Sequence, residues 1–92
     1  MNLYEMTKNE VLEMEYNKLN KQMQEIWNQQ LKNPNGWTKT KFERVIAEHK
    51  VAIMDAIWTG KIIDDKVLND YSDIQERFKK EIGENKNIKY KF

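Results

Sequence analysis

The segment 41–59 constrains the fold of this 92-residue chain most, because its apolar side chains form two groups when placed at about 100° per residue. The broad group comprises Phe42, Val45, Ile46, His49, Ala52, Ile53, Ala56 and Ile57. The second group comprises Ala47, Val51, Met54 and Trp58, and is centred about 150° away around the helix axis. A helix that is apolar on two sides packs against neighbours on both of them, so the pattern predicts an all-α fold with this helix at its centre.

A long helix is predicted before it, over residues 8–32. Thr7 and Glu10 have the spacing of a capping box, in which each side chain hydrogen-bonds the backbone of the other residue. Apolar residues then recur in steps of three and four, at Leu12, Tyr16, Leu19, Met23 and Ile26. Pro34 cannot continue a helix, and the segment 33–36 has the composition of a turn.

Two further helices are predicted, over 41–59 and 65–82. Thr40 has capping-box spacing with Glu43, and Gly60 is placed to end the second helix. Asp64 and Asp65 form an N-cap pair for the third helix, whose apolar series is Val67, Tyr71, Ile74, Phe78 and Ile82 and which we expect to end at Gly83. The predicted fold is therefore a three-helix bundle, or a helical hairpin plus a third helix, with residues 84–92 as a flexible basic and aromatic tail.

Composition indicates one small domain over 1–92 in the cytoplasm. There are no cysteines, and the N-terminal residues have no apolar core of a signal peptide. The 16 basic and 15 acidic residues nearly cancel, which argues against a nonspecific nucleic-acid binder. The bias towards lysine and asparagine suggests an AT-rich genome, and a phage or mobile-element accessory protein fits that origin.

Catalytic and metal-binding signatures are absent from the sequence. His49 is the only histidine and lies on the broad apolar face, so we expect it to be a packed, hydrogen-bonded side chain. Ser72 is the only serine and has no histidine near it in the sequence. The three glycines do not have the spacing of a phosphate-binding loop of the P-loop type. We therefore expect a non-catalytic protein without a metal or cofactor.

The second apolar stripe of the central helix has two interpretations. The plainer one, slightly favoured, is that the other two helices cover it. The functional one is that Val51, Met54 and Trp58 anchor another protein. In that case a charged rim of Arg44, Glu48 and Asp55 would orient the partner. For function we expect a small regulator, adaptor or inhibitor that acts through this face.

Two other functions remain open. A nucleic-acid-binding module would use the C-terminal Lys86, Lys89, Tyr90 and Lys91, with Lys39 and Lys41 in support. The other is a structural homo-oligomer, such as an assembly component. Separately, the seam of the long first helix exceeds the length of either neighbour, which would allow two copies to pair there. A homodimer of that kind is also compatible with the regulator hypothesis.

Overall fold

The structure is a computed structural model that describes the backbone of residues 2–30 and 36–89 and the side chains of 2–30 and 36–86. The described residues are mostly helical and contain no strand, which confirms the all-α prediction. A 3₁₀ turn at Leu3–Glu5 precedes helices α1 (Lys8–Asn17), α2 (Lys21–Gln29), α3 (Gly36–Trp58), α4 (Asp65–Leu68), α5 (Ser72–Arg77) and α6 (Lys79–Lys89). The predicted count of three helices is therefore wrong, since these two described ranges hold six.

The first predicted helix, 8–32, is divided into α1 and α2. The capping box at its start is confirmed: Thr7 N lies 2.9 Å from a carboxylate oxygen of Glu10, whose own amide lies 3.3 Å from Thr7 Oγ1. The apolar periodicity does not predict the break between α1 and α2, because it places Asn20 in the helix interior. Its side-chain oxygen instead accepts from the amide of Met23 at 2.9 Å and caps α2. Residues 31–35, which carry the predicted Pro34 turn, lie outside the described part of the chain.

The central helix α3 begins at Gly36, five residues before the predicted start. Thr40 lies inside this helix, where its hydroxyl donates to the Gly36 carbonyl at 3.2 Å, so the predicted Thr40 cap is wrong. The predicted end at Gly60 is confirmed. Gly60 has a φ of 91°, and the amides of Gly60 and Lys61 donate to the carbonyls of Ile57 and Ala56, the pattern of a Schellman motif.

The third predicted helix, 65–82, is interrupted twice. Its start is confirmed, since the Asp64 carboxylate accepts from the amide of Lys66 at 3.1 Å. After Leu68 the chain leaves the helix, and the Asp70 carboxylate accepts from the backbone amide of Lys8 at 2.8 Å. Asp70 therefore supplies a long-range partner for an amide at the start of α1, which local periodicity cannot reveal.

The C-terminal helix α6 continues past Gly83, so the helix end predicted there is wrong. Residues 84–89, which were assigned to a tail, belong to α6, whereas 90–92 lie outside the described residues. Asn85 is buried, and its side-chain amide donates to the carbonyls of Ile57 at 2.9 Å and Lys61 at 3.1 Å. One residue of the assigned tail therefore satisfies backbone carbonyls at the end of α3.

The main core lies where α3 meets the C-terminal helices. Its buried members are Ile53, Ala56, Ile57, Ile63, Val67, Leu68, Tyr71 and Ile74. A smaller cluster of Met6, Val11 and Val45 joins the N-terminal segment to the other end of α3. The molecule is elongated, with principal extents of 52 × 23 × 17 Å. The prediction that α3 is central and buries its broad apolar face is confirmed.

Candidate protein-docking groove

The second stripe of α3 lies largely at the surface. Trp58 is 73% exposed and Val51 is 60% exposed, whereas Met54 between them is half-buried and packs against the main core. The plainer interpretation was that the other helices cover the stripe. Of Val51, Met54 and Trp58, it holds only for Met54.

This stripe forms one wall of a groove of about 510 Å³. The opposite wall comes from the end of α5 and the start of α6, which are joined at Phe78. The lining residues are Val51, Met54, Asp55, Trp58, Arg77, Phe78 and Glu81. An apolar floor with charged side chains along it is the usual form of a binding site on a protein surface.

The predicted rim is only partly assembled at the groove. Asp55 lines it, but Arg44 and Glu48 do not, although both are exposed. Arg44 precedes Val51 by seven residues, a separation of roughly 10 Å along the helix axis. The structure therefore brings together four of the six predicted partner-binding residues: Val51, Met54, Asp55 and Trp58.

Three residues of the opposite wall were missed by the sequence analysis. Phe78 was read as a core position of the third predicted helix, and it is partly buried against the main core. Arg77 places its guanidinium carbon 5.7 Å from the centroid of the Phe78 ring, a cation–π arrangement. No signal in the sequence assigns Arg77, Phe78 or Glu81 to a groove, because the break between α5 and α6 gives them their positions.

His49 is a structural residue, as the sequence analysis expected. It is buried, and its Nε2 lies 2.9 Å from the carbonyl oxygens of both Leu3 and Met6. Because carbonyl oxygens only accept, Nε2 carries the proton, and in the neutral ring Nδ1 accepts from the Tyr71 hydroxyl at 2.8 Å. Burial, with the nearby carboxylates of Asp70 and Asp73, raises the pKa of Tyr71 to about 12.

Two acidic residues around α4 and α5 form ion pairs with lysines of neighbouring helices. Asp65 pairs with Lys86 at 3.3 Å, and Asp73 pairs with Lys50 at 2.9 Å. The hydrogen bond from Lys50 lowers the pKa of the Asp73 carboxyl. Across the part of the chain that the structure describes, no three histidine, cysteine or acidic side chains cluster in a way that could hold a metal ion.

The residues predicted to contact nucleic acid are only partly described. Lys86 lies on α6 and pairs with Asp65, as given above, and Lys41 pairs with Glu15 at 3.3 Å. Lys39 is exposed. The side chain of Lys89, and Tyr90 and Lys91 as a whole, fall outside what the structure describes. Nothing described therefore tests the nucleic-acid hypothesis.

The premise for pairing through a long first helix is weakened by the break between α1 and α2. Trp27 of α2 is buried edge-on against Phe42 of α3, with ring centroids 4.3 Å apart, and also contacts Tyr16 of α1 at 6.1 Å. The two short helices thus direct part of their apolar surface inward. The homodimer itself remains a prediction.

Comparison with protein-family models, characterised proteins and solved structures finds no match to this chain. Within residues 2–30 and 36–89, none of the helices combines the length and apolar character that crossing a membrane requires.

Proposed function

We propose that this chain is a small, non-catalytic protein-binding protein that acts as a regulator, adaptor or inhibitor through the groove beside α3. The observation that carries the proposal is the exposure of Trp58 and Val51 on one wall of that groove. A cytoplasmic location, which suits a chain without cysteine, and a phage or mobile-element origin form part of the same proposal.

Trp58 is the main apolar anchor for the partner. A tryptophan side chain offers on the order of 200 Å² of surface. With 73% of Trp58 exposed, covering it would release on the order of 3 kcal/mol of hydrophobic free energy. Tryptophan is enriched among the residues that dominate binding at interfaces.

Met54 and Phe78 form the half-buried lower part of the two walls of the groove. Both are partly buried against the main core, so the base of the groove is held in place by the same packing that stabilises the fold. Methionine adapts its shape to an incoming side chain at little cost. A fixed floor with one adaptable residue suits docking of a preformed partner surface.

The test compares two tryptophan variants. Trp58→Glu places a charge in the groove, and Trp37→Glu makes the same exchange at a tryptophan that is 43% exposed and does not line the groove. Circular dichroism first checks that each variant has the helicity of the unmodified protein. All three forms are then immobilised and exposed to extract of the native host, and the retained proteins are identified by mass spectrometry.

The proposal expects a partner that the unmodified protein and Trp37→Glu retain and that Trp58→Glu loses. Retention of the same proteins by all three forms would remove the groove from the function. Nucleic acid retained in a strongly salt-dependent manner, with no loss in Trp58→Glu, would favour the nucleic-acid hypothesis instead.

A further inference from the structure

We propose that the occupant of the groove is an amphipathic α-helix whose apolar strip is bordered by basic residues. The inference rests on the proposed function and adds the chemistry of the partner.

The dimensions of the groove suit a helix. Val51, Met54 and Trp58 are spaced i, i+3 and i+7, so they form one row along α3 that extends roughly 10 Å, or two helical turns. Phe78 faces this row from the opposite wall. A helix docks in such a groove by its own i, i+3, i+4 and i+7 side chains.

The charges beside the apolar floor indicate the sign of the partner. Asp55 on α3 and Glu81 on α6 line the two walls, and the ion pairs among the described residues include neither carboxylate. Glu48 and Arg44 lie on the same edge of α3 beyond the groove lining and their charges cancel, so the lining carboxylates set the sign. Lysine or arginine beside the partner's apolar strip would pair with these carboxylates.

Arg77 is the single cation among the seven lining residues, and its guanidinium stacks over Phe78. The lining therefore carries two carboxylates and one guanidinium, an excess of negative charge in a chain whose net charge is +1. That excess also disfavours a second copy of this chain as the occupant. A two-fold interface brings the same patch of both copies together, so two patches of net negative charge would face each other.

The probes are two fluorescein-labelled peptides of about 14 residues, long enough to cover the two-turn row with about one turn to spare at each end. Both carry the same leucine strip. One has lysine at the positions that border the strip and the other has glutamate. Fluorescence anisotropy against the unmodified protein is expected to give a Kd about 10-fold lower for the lysine peptide at low ionic strength. The difference is expected to shrink as salt is added, because exposed charges are screened.

A charge-reversed variant makes the test specific. Asp55→Lys combined with Glu81→Lys is expected to bind the glutamate peptide more tightly than the lysine peptide. The matched control combines Glu25→Lys with Glu43→Lys, which changes net charge equally at exposed residues outside the groove lining. This control is expected to keep the preference for lysine.

Each other outcome overturns the inference in a distinguishable way. Equal binding of both peptides would show that the groove does not select its partner by charge, and the proposed protein docking would still stand. Absence of any peptide binding removes the helix as occupant, while the comparison of Trp58→Glu with Trp37→Glu decides the proposed function separately. If light scattering shows a dimer that Trp58→Glu dissociates, the occupant is a second copy of the chain.

Discussion

The hydroxyl oxygen of Tyr71 lies 2.8 Å from Nδ1 of His49, and both residues are buried. The opposite ring nitrogen of His49 reaches the carbonyls of the N-terminal segment. One histidine on α3 therefore joins the start of the chain to the residue before α5. This three-way connection ends at the residue that precedes α5, the first of the two helices that form the far wall of the groove.

Tyr71→Phe is expected to lower the free energy of unfolding by about 1–3 kcal/mol, because it leaves Nδ1 of His49 buried without a donor. Urea denaturation followed by circular dichroism measures the change. Tyr4→Phe is the control, since its hydroxyl makes only an exposed contact of 3.5 Å with Asn2. Equal effects of the two variants would contradict a role for the buried pair.

Stability is expected to fall at alkaline pH. Tyr71 has a pKa of about 12 in the folded protein against an ordinary 10.0, so the unfolded chain releases the phenol proton first as the pH rises. Its contribution is complete below pH 10 and is lost as the pH rises to about 12. Melting temperatures across this range should decline less steeply for Tyr71→Phe than for the unmodified protein. Identical slopes would show that the phenol is not held neutral by the fold.

Asn85→Ala is expected to cost about 1–3 kcal/mol of stability, because it removes the donor that serves the carbonyls of Ile57 and Lys61. Glu84→Ala is the neighbouring control, since Glu84 is exposed and pairs with Lys80 only at 4.0 Å. Chemical denaturation separates the two. If Asn85→Ala leaves the free energy of unfolding unchanged, the result would instead agree with the flexible tail predicted for residues 84–92.

Two glycine substitutions are expected to have opposite signs. Gly83→Ala should stabilise the protein by about 0.5–1 kcal/mol, because Gly83 lies within α6 and an added Cβ meets no atom within 4 Å. Gly60→Ala should destabilise it by about 1 kcal/mol, because its φ of 91° disfavours any residue with a Cβ. Thermal unfolding of the pair measures both. Destabilisation by Gly83→Ala would mean that the helix ends there after all.

Features that depend on neighbours in the chain are predicted in part from the sequence, since the Thr40 cap and the helix end at Gly83 are wrong. The Thr7–Glu10 capping box, the Asp64 cap and the Gly60 end of α3 all follow from spacing over a few residues, and all are confirmed. The periodicity of α3 also separates correctly the face that is buried from the stripe that is largely exposed.

The helix breaks were not predictable in the same way. Asp70 leaves the helical pattern to accept from the amide of Lys8, 62 residues away in sequence. Asn85 lies inside α6 and not at a break, but its partner Ile57 is also distant, 28 residues back in sequence. Apolar steps of three and four continue across the breaks in the third predicted helix, so periodicity alone predicts a single helix there. The far wall of the groove depends on those breaks. For that reason the periodicity assigns Phe78 to the core and gives Glu81 no role.

The central claim is that Val51 and Trp58, on either side of the half-buried Met54, lie on a surface of the folded chain and not in its core. Equilibrium urea unfolding of Trp58→Glu tests it most directly. A carboxylate replaces a side chain that is 73% exposed, at the C-terminal end of α3, where the helix dipole opposes a negative charge. We predict a protein that stays helical and loses no more than about 1 kcal/mol of its free energy of unfolding. Loss of the helical signal in the absence of urea would show that the chain's own core buries Trp58, and would contradict the account.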